Sequence, residues 1–331
     1  MSDLLTVQDL RVRFRVASPV KALMTGMQDP FIDAVCGVDF NIGEGETLGL
    51  VGESGSGKST IARAVMGLVP AASGSVKFDG QELVGLPNRQ FNKVRRDLAM
   101  MFQDPVGSLS PRLTIRSLVT EPFRIHGAGD RELDREAKRL LEMVGLSADF
   151  GRRFPHQLSG GQARRVGVAR ALAMDPKLII ADEPTAGLDV SVQGEVLNLL
   201  ARLQRELGLS ILIITHNLNV VRHITDRMAI MYLGRFVEHG PTEQVFHHPR
   251  HPYTEALLSA NPEPDPDAAS SRVEISGEVP SLMNRPTGCE FHTRCPYVGD
   301  RCKREAPPIT RDDAGRAFTC HYPLGEREAA E

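Results

Sequence analysis

The chain has 331 residues, a net charge of −3 and 24% charged residues, which is typical of a globular protein with room for more than one domain. This near-neutral charge provides no basic field for nucleic acid, so nucleic acid is not expected as a partner. No apolar stretch approaches the roughly 18 residues of a membrane-spanning helix, and the N-terminus lacks a signal-peptide pattern. We therefore expect a cytosolic chain that meets a membrane only through partners.

The first third of the chain alternates apolar strand patterns with turn residues. Strands are predicted at Leu4–Arg15, Val35–Ile42, Thr47–Val51, Val76–Phe78 and Leu98–Phe102. A helix is predicted at Lys58–Met66, with Gly67 as its end. Ala17–Asp33 separates the first two strands and is predicted to be an inserted loop.

Helical patterns dominate from about residue 105 to 161, and apolar strands follow. Helices are predicted at Glu132–Val144, Arg164–Ala173 and Val192–Leu207, buried strands at Leu178–Ala181 and Ile211–Ile214, and a hairpin at Arg227–Leu233 and Arg235–Glu238. Near residue 260 the composition changes to an acidic, proline-rich linker at 261–267. Beyond it apolar periodicity fades, so the tail is expected to need staples or a metal to fold.

A glycine-rich loop carries the strongest chemical signal. Gly52 and Gly57 bracket four residues, and Lys58 and Ser59 follow at the start of the predicted helix. Glycines let backbone N–H groups converge on phosphate oxygens at a helix N-terminus. Lys58 is then expected to reach the β- and γ-phosphates of a nucleotide, and the Ser59 hydroxyl to bind Mg²⁺.

Two further motifs supply what such a loop needs. The predicted strand at Leu178–Ala181 runs into Asp182 and Glu183, which places Asp182 near Mg²⁺ and leaves Glu183 to polarise the attacking water. Leu158–Gln162 puts a serine and two glycines before a predicted helix. That segment is either a second phosphate-binding helix N-terminus or a structural helix cap.

These motifs, in this order, resemble those of the ATP-binding cassette (ABC) ATPases from about residue 4 to 250, with Leu158–Gln162 in the form of the family signature. By this resemblance Phe14 stacks on adenine and Gln103 senses the γ-phosphate and Mg²⁺. Asp189 is the dimer-contact aspartate, and His216 is the switch histidine that holds the γ-phosphate. The resemblance implies that two subunits pack head to tail, with ATP between the loop of one subunit and the signature of the other.

The resemblance implies an α/β fold, a P-loop NTPase core in which a RecA-like subdomain carries an antiparallel β subdomain. The nucleotide-binding domain is expected at 1–255, with a helical subdomain at about 104–164, and a C-terminal extension at 256–331. The implied catalytic residues are Glu183, His216 and Gln103, and the implied Mg²⁺ ligands are Ser59, Gln103 and Asp182. The implied nucleotide-binding residues are Phe14, Gly52, Ser54, Gly55, Ser56, Gly57, Lys58, Ser59, Thr60, Gln103, Ser159, Gly160, Gly161, Gln162, Asp182, Asp189 and His216.

The C-terminal tail indicates which group of ABC ATPases the chain resembles. Residues 251–258 and 288–308 resemble the C-terminal extension of ATPase subunits from bacterial oligopeptide, dipeptide and nickel importers. This resemblance implies a peripheral protein at the cytoplasmic face of the inner membrane. Its partners are a second homologous ATPase, two transmembrane permeases and a periplasmic substrate-binding protein. Peptides are the first substrate expected, with nickel complexes or opines as alternatives.

Four of the five cysteines, Cys289, Cys295, Cys302 and Cys320, fall in this tail. Four thiolates suit either Zn²⁺ or a [4Fe–4S] cluster. Zinc sites usually pair closely spaced cysteines, so the wider gaps here favour the cluster, with a structural role. Zinc and cysteines that bind no metal remain alternatives, and His292 and His321 are possible substitute ligands.

Two other functions compete with an importer ATPase. A soluble ABC ATPase of DNA repair or translation usually has long coiled coils or two cassettes in one chain, and neither pattern occurs here. An iron–sulfur redox protein that binds nucleotide is disfavoured by the complete set of hydrolytic motifs. Co-purification with hydrophobic permeases separates the importer from both alternatives.

Overall fold

The computed structural model describes residues 3–18, 24, 30–104, 107–127, 132–260, 273 and 275–325. The strands within them are β1 (Asp3–Arg15), β2 (Phe31–Gly43), β3 (Thr47–Val51), β4 (Ser73–Phe78), β5 (Gln81–Glu82), β6 (Leu98–Met101), β7 (Leu178–Asp182), β8 (Ser210–Thr215), β9 (Arg227–Tyr232), β10 (Arg235–Pro241), β11 (Thr310–Arg311) and β12 (Ala317–Phe318). The α-helices are α1 (Lys58–Val65), α2 (Asn88–Val94), α3 (Ile115–Val119), α4 (Glu121–Ile125), α5 (Leu133–Met143), α6 (Gly160–Leu172), α7 (Val190–Leu207), α8 (Leu218–Ile224), α9 (Thr242–His247), α10 (Pro252–Ser259) and α11 (Asp300–Arg304). The predicted linker at 261–267 and most of the predicted loop at 17–33 lie outside the described residues.

The chain divides into two compact units. The first unit is built mainly from Ile42–Thr47 and Gly85–Ile214, and the second from Leu5–Asn41, Leu48–Val84 and the chain from Thr215 onward. Among the described helices, none combines the length and apolar character that crossing a bilayer requires.

A parallel sheet forms the centre of the first unit. Strand β7 pairs in parallel with β6 and with β8. Every residue of β7 and β8 is buried, as predicted for apolar strands that are covered on both faces. The carboxyl ends of these strands therefore lie at one edge of the sheet, where α/β proteins place their ligands.

Short helices make up the region between β6 and α6. Helix α5 buries Ala137, Leu140 and Leu141, which share one face of the helix at helical spacing. Arg170 of α6 donates to the backbone oxygen of Ser108 (3.1 Å) and to the Glu121 carboxylate (2.7 Å). These bonds attach α6 to the segments that precede it within the first unit.

Two groups of strands form the second unit. One is an antiparallel sheet in the order β2-β1-β4-β5. In the other, β9 pairs in parallel with β3 and antiparallel with β10, which confirms the predicted hairpin. Parallel pairing of β3 with β9 places the end of β3, and the glycine-rich loop that follows it, beside the turn of this hairpin.

The C-terminal tail packs on the rest of the second unit. Strand β12 pairs with β10, and the buried ring of Phe291 packs against Tyr232 and Tyr253, with 5.3 Å between ring centroids in both pairs. Tyr232 and Tyr253 are 4.8 Å apart. The tail thus obtains its apolar contacts from buried residues elsewhere in the second unit, an arrangement that its own composition did not predict.

Candidate nucleotide-binding site

The glycine-rich loop joins β3 to α1 as predicted. Gly57 is the N-cap of α1, with φ at +110°, and a Cβ at this position would lie 2.5 Å from the backbone oxygen of Ala34. A Cβ at Gly52 would collide with the backbone oxygen of Met231. Backbone packing therefore requires glycine at both positions, independently of any phosphate.

Lys58 is folded back into this loop. Its side chain is only 7% exposed, and its ammonium donates to the backbone oxygens of Gly52 (2.7 Å) and Glu53 (2.8 Å) and to the Ser56 hydroxyl (3.3 Å). A positive charge is thus held inside a glycine-rich loop at the N-terminus of α1, the arrangement that binds phosphate.

The rest of the predicted loop surrounds this lysine. Ser56 is buried, Ser54 and Gly55 are exposed, and Ser59 and Thr60 occupy the first turn of α1 and are partly exposed. Phe14 lies on β1 with its ring about one-third exposed, and His216 follows β8 with an exposed side chain.

The predicted acidic pair lies at the carboxyl end of β7 in the first unit. Asp182 is the last residue of the strand and is buried. Glu183, 9% exposed, has a left-handed φ of +49°, and its N–H donates to Ile214 O at 2.8 Å. Gln103 follows β6, the neighbouring strand, and is exposed. The structure therefore brings Gln103 and Asp182 to the same edge of the sheet.

The signature segment begins α6 with a reciprocal cap. The Ser159 hydroxyl accepts from the N–H of Gln162 (3.3 Å), and the Gln162 side chain accepts from the N–H of Ser159 (3.1 Å). Both glycines pack closely on the start of α7: a Cβ on Gly160 would lie 3.2 Å from Leu188, and one on Gly161 2.6 Å from Val192. The segment therefore forms the structural helix cap that was one of its two predicted roles. This cap is compatible with phosphate binding at the same helix N-terminus.

Asp189 lies between Leu188 and Val192, the residues on which these two glycines pack. It is the N-cap of α7, and its carboxylate accepts from the N–H of Val192 at 2.9 Å. Arg164 of α6 is buried and donates to the backbone oxygens of Glu183 (3.1 Å) and Ala186 (2.6 Å). Helix α6, which follows the signature segment, is therefore hydrogen-bonded to the backbone between the acidic pair and Asp189.

Contacts between the loop and residues near the C-terminal end of the chain were not predicted from the sequence. Arg294 forms a salt bridge with Glu53, which follows Gly52 directly, and Tyr253 accepts a hydrogen bond from the Glu53 N–H. These partners lie 241 and 200 residues from Glu53. No local pattern indicates pairings at such separations.

The iron–sulfur prediction is wrong. In the part of the chain that the structure describes, which includes all four tail cysteines, no three His, Cys, Asp or Glu side chains are grouped to hold a metal ion. The space that the four cysteines line is about 10 Å³, barely room for one water. Burial raises the pKa of the Cys289 thiol to about 11 and that of Cys320 to about 12, so both are protonated near neutral pH.

The cysteines instead take part in packing. Cys289 and Cys295 lie against the core cluster that contains Tyr232, Tyr253 and Phe291. Buried cysteine behaves as a small hydrophobic residue. The same finding leaves the zinc alternative unsupported, and His292 hydrogen-bonds the backbone of Cys289 through Nδ1.

ATP and Mg²⁺ fit the residues that are present. The buried Lys58 ammonium and the glycine-rich loop at the start of α1 provide positive charge and backbone N–H groups, which suit phosphate. The Ser59 hydroxyl and the Asp182 carboxylate are the hard oxygen ligands that Mg²⁺ prefers. These side chains and N–H groups are thus of the chemical kind that phosphate and Mg²⁺ require.

Two protein-family models match the chain. The model described as ABC transporter covers residues 35–186, and the model described as Oligopeptide/dipeptide transporter, C-terminal region, covers residues 237–302. The oligopeptide transport ATP-binding protein OppF of Escherichia coli is 48% identical, with 92% of each chain covered. The di/tripeptide transport ATP-binding protein DppF of Pseudomonas aeruginosa is 43% identical over 97% of this chain and 98% of its own.

Solved structures of cassettes share the fold. A dimer of the ATP-binding cassette MJ0796, bound to ADP and phosphate, is 31% identical, with a TM-score of 0.63 over 72% of this chain and 98% of its own. The transporter component cbiO1 of Clostridium perfringens is 29% identical, with a TM-score of 0.64 over 74% of this chain and 91% of its own. The predicted α/β fold of a P-loop NTPase is confirmed, and the chain belongs to the ABC transporter family as an ATP-binding subunit of the oligopeptide/dipeptide type.

Proposed function

We propose that this chain is the energy-coupling ATPase of an importer for peptides. The match of residues 237–302 to the oligopeptide/dipeptide transporter C-terminal region is the observation that carries the substrate class. It is supported by relatives whose names specify oligopeptide and di/tripeptide transport. The chain acts at the cytoplasmic face of the inner membrane, beside two permeases and a second ATPase, on substrate from a periplasmic binding protein.

Within this function each site residue has a role in phosphoryl transfer. The ammonium of Lys58 neutralises charge on the β- and γ-phosphates, and Phe14 stacks on adenine. Ser59, Gln103 and Asp182 would hold Mg²⁺, which would supply further charge neutralisation at the phosphates. Glu183 orients the attacking water and accepts its proton.

The remaining residues complete the site. His216 donates a hydrogen bond to the γ-phosphate, and Gln103 senses it. Ser159–Gln162 covers the ATP that is bound to the loop of the partner ATPase, and Asp189 contacts that partner. We assign residues 1–255 to the nucleotide-binding domain, with the helical part at 104–164 docking on the permeases, and 256–331 to the extension.

Reconstitution tests the proposal. The chain, its permeases, the second ATPase and the binding protein are placed in lipid vesicles, and ATP hydrolysis is measured with and without peptide. We expect peptide-loaded binding protein to stimulate hydrolysis. Stimulation by nickel complexes or opines, but not by peptides, would refute the substrate class and leave the ATPase assignment intact.

A variant separates binding from chemistry at the same site. Glu183→Gln keeps the size of the side chain but removes the base, so we expect near-normal ATP binding and hydrolysis slowed by about 100-fold or more. Lys58→Ala, the matched control, loses ATP binding itself. Near-normal turnover in Glu183→Gln would remove Glu183 from its role.

A further inference from the structure

Glu53, the second residue of the phosphate loop, is held by the C-terminal tail through a two-pronged salt bridge. Arg294 donates from Nη1 to Oε2 at 2.8 Å and from Nη2 to Oε1 at 3.0 Å. The side chain of Arg294 is 8% exposed and that of Glu53 26%. Paired guanidinium–carboxylate bonds of this kind fix orientation as well as distance.

The backbone of Glu53 is held as well. Its N–H donates to the hydroxyl of Tyr253 at 3.0 Å, and its carbonyl oxygen accepts from Lys58 Nζ at 2.8 Å. The carboxylate, N–H and carbonyl of one residue are therefore all engaged. Three of these four hydrogen bonds involve residues outside the loop, and the fourth holds the lysine that carries the charge for phosphate.

Both outside partners are themselves rigidly placed. Tyr253 is fully buried, and its ring packs on Tyr232 and Phe291. The guanidinium of Arg294 lies 5.9 Å from the centre of the Tyr232 ring, within reach of a cation–π contact. Tyr253 and Arg294 therefore both contact Glu53 from one buried aromatic cluster.

We propose that Arg294 and Tyr253 are positioning residues for ATP binding, which act on the phosphate loop through Glu53. The inference rests on the proposed function, because it assigns the tail a part in the affinity of that site for nucleoside triphosphate. Without the two contacts the loop samples other backbone conformations, and ATP binding has to restore the competent one. A salt bridge that served only to attach the tail would leave the affinity unchanged.

Nucleotide titration of the purified full-length chain tests this role. The dissociation constant for MgATP is measured for the wild type and for Arg294→Met, Glu53→Gln and Tyr253→Phe. We expect each variant to bind about tenfold more weakly, the effect of losing one good polar contact. The Arg294→Met/Glu53→Gln double variant should bind no more weakly than Arg294→Met alone, because both changes remove the same interaction.

Arg316→Met is the matched control. Arg316 is also a buried arginine of the tail and pairs with a carboxylate, Asp312, at 2.7 Å, but its backbone bonds go to Gln244 and His248. Its loss should destabilise the tail and leave the ATP dissociation constant within about twofold of wild type. Hydrogen exchange of residues 52–57 in nucleotide-free protein should speed up in Arg294→Met and not in Arg316→Met.

The outcomes separate the two proposals. Equal ATP affinity and equal loop exchange in Arg294→Met and Arg316→Met would overturn the positioning role. If Arg294→Met does not fold, the ATP affinities of Tyr253→Phe and Glu53→Gln test the positioning role instead. These variants are milder, because the first removes only a hydroxyl and the second only a charge. A wild-type chain that binds no MgATP, or a Lys58→Ala chain that binds as well as wild type, would instead refute the proposed function.

Discussion

Glu183, the proposed catalytic base, also has a strained backbone conformation. It follows a fully buried strand and has a left-handed φ of +49°, a conformation that costs a non-glycine residue about 1–2 kcal/mol. Its N–H is bonded to Ile214 and its carbonyl to Arg164, so the surrounding structure holds the strained backbone in place. Strain of this kind is concentrated at functional sites.

The strain predicts an unusual order of stability among truncated variants. Glu183→Gly and Glu183→Ala remove the same carboxylate, but only glycine adopts the left-handed conformation without penalty. After the extra entropy of glycine in the unfolded chain is subtracted, we expect the Gly variant to be more stable than the Ala variant by about 1 kcal/mol. Urea unfolding measures the difference. A Gly variant that is less stable than Ala would show that the backbone at this position is not strained.

The positions of individual residues can be predicted from the sequence when they belong to a local motif. Lys58 and Asp182 lie where the loop and strand patterns placed them. The pairing of Glu53 with Arg294 could not be predicted, because it depends on the docking of a tail 241 residues away. Cysteine spacing was misleading for a related reason, since spacing does not reveal that Cys289 and Cys295 pack against an apolar core formed by other parts of the chain.

Among the elements, α7 begins at a residue for which two roles are expected. Asp189 caps the helix in the structure, while the resemblance to ABC ATPases assigns it to the dimer contact. Asn is as good an N-cap as Asp, so Asp189→Asn should unfold within about 0.5 kcal/mol of wild type, whereas Asp189→Ala should lose about 1 kcal/mol. Thermal unfolding of the isolated chain measures both.

Hydrolysis in the assembled dimer then separates the two roles. If only the cap matters, Asp189→Asn hydrolyses ATP like wild type. If the carboxylate contacts the partner subunit, both variants lose activity to a similar extent despite their different stabilities.

Helix α10 begins with a cap that depends on pH. The Nδ1 atom of His251 accepts from the N–H of Tyr253 at 3.0 Å, and burial lowers the pKa of this histidine to about 3. Protonation would both charge a buried ring and remove the acceptor. The unfolded chain, with a histidine pKa near 6.5, binds this proton more readily, so stability is complete above about pH 6.5 and falls as the pH is lowered toward 3.

This linkage predicts a loss of about 2 kcal/mol from His251 between pH 7 and pH 5. His251→Asn retains a capping acceptor that does not titrate, so its unfolding free energy should fall by about 2 kcal/mol less than that of wild type over the same range. The comparison cancels the contribution of Glu238, whose pKa is raised by burial and which accepts from the His251 N–H. Equal pH dependence in the two proteins would mean that His251 is already accessible to protons.

Element boundaries were predictable where glycine or a charged residue ends an apolar pattern, as in β3 and α1. Helix α6 begins at Gly160, ahead of the predicted Arg164, because the cap between Ser159 and Gln162 allows two glycines, poor helix formers, into the first turn. The fold of the tail was not predictable, because Phe291 packs on a core formed by distant residues and shows no periodicity of its own.

For the whole molecule, the proposed active site needs two chains. In the proposed assembly the loop that follows β3 binds ATP on one subunit, and the segment Ser159–Gln162 covers it from another. In the absence of the second ATPase two copies of this chain have to pair, so turnover per chain should rise with protein concentration and reach a plateau when the dimer is fully formed. Steady-state hydrolysis across a dilution series measures this dependence, and a constant turnover would indicate that one chain is sufficient.

Complementation at the plateau concentration tests the same idea with two inactive chains. Lys58→Ala removes the charge of the loop. Ser159→Asp keeps an N-cap but places a negative charge beside the partner's phosphates, and Ser159→Asn is its uncharged control. Each inactive variant alone has no complete site, but a mixed dimer has one, formed by the loop of the Ser159 variant and the signature of the Lys58 variant. Random mixing should therefore restore about a quarter of wild-type hydrolysis, and a mixture as inactive as its components would mean that two copies of this chain do not form a shared site.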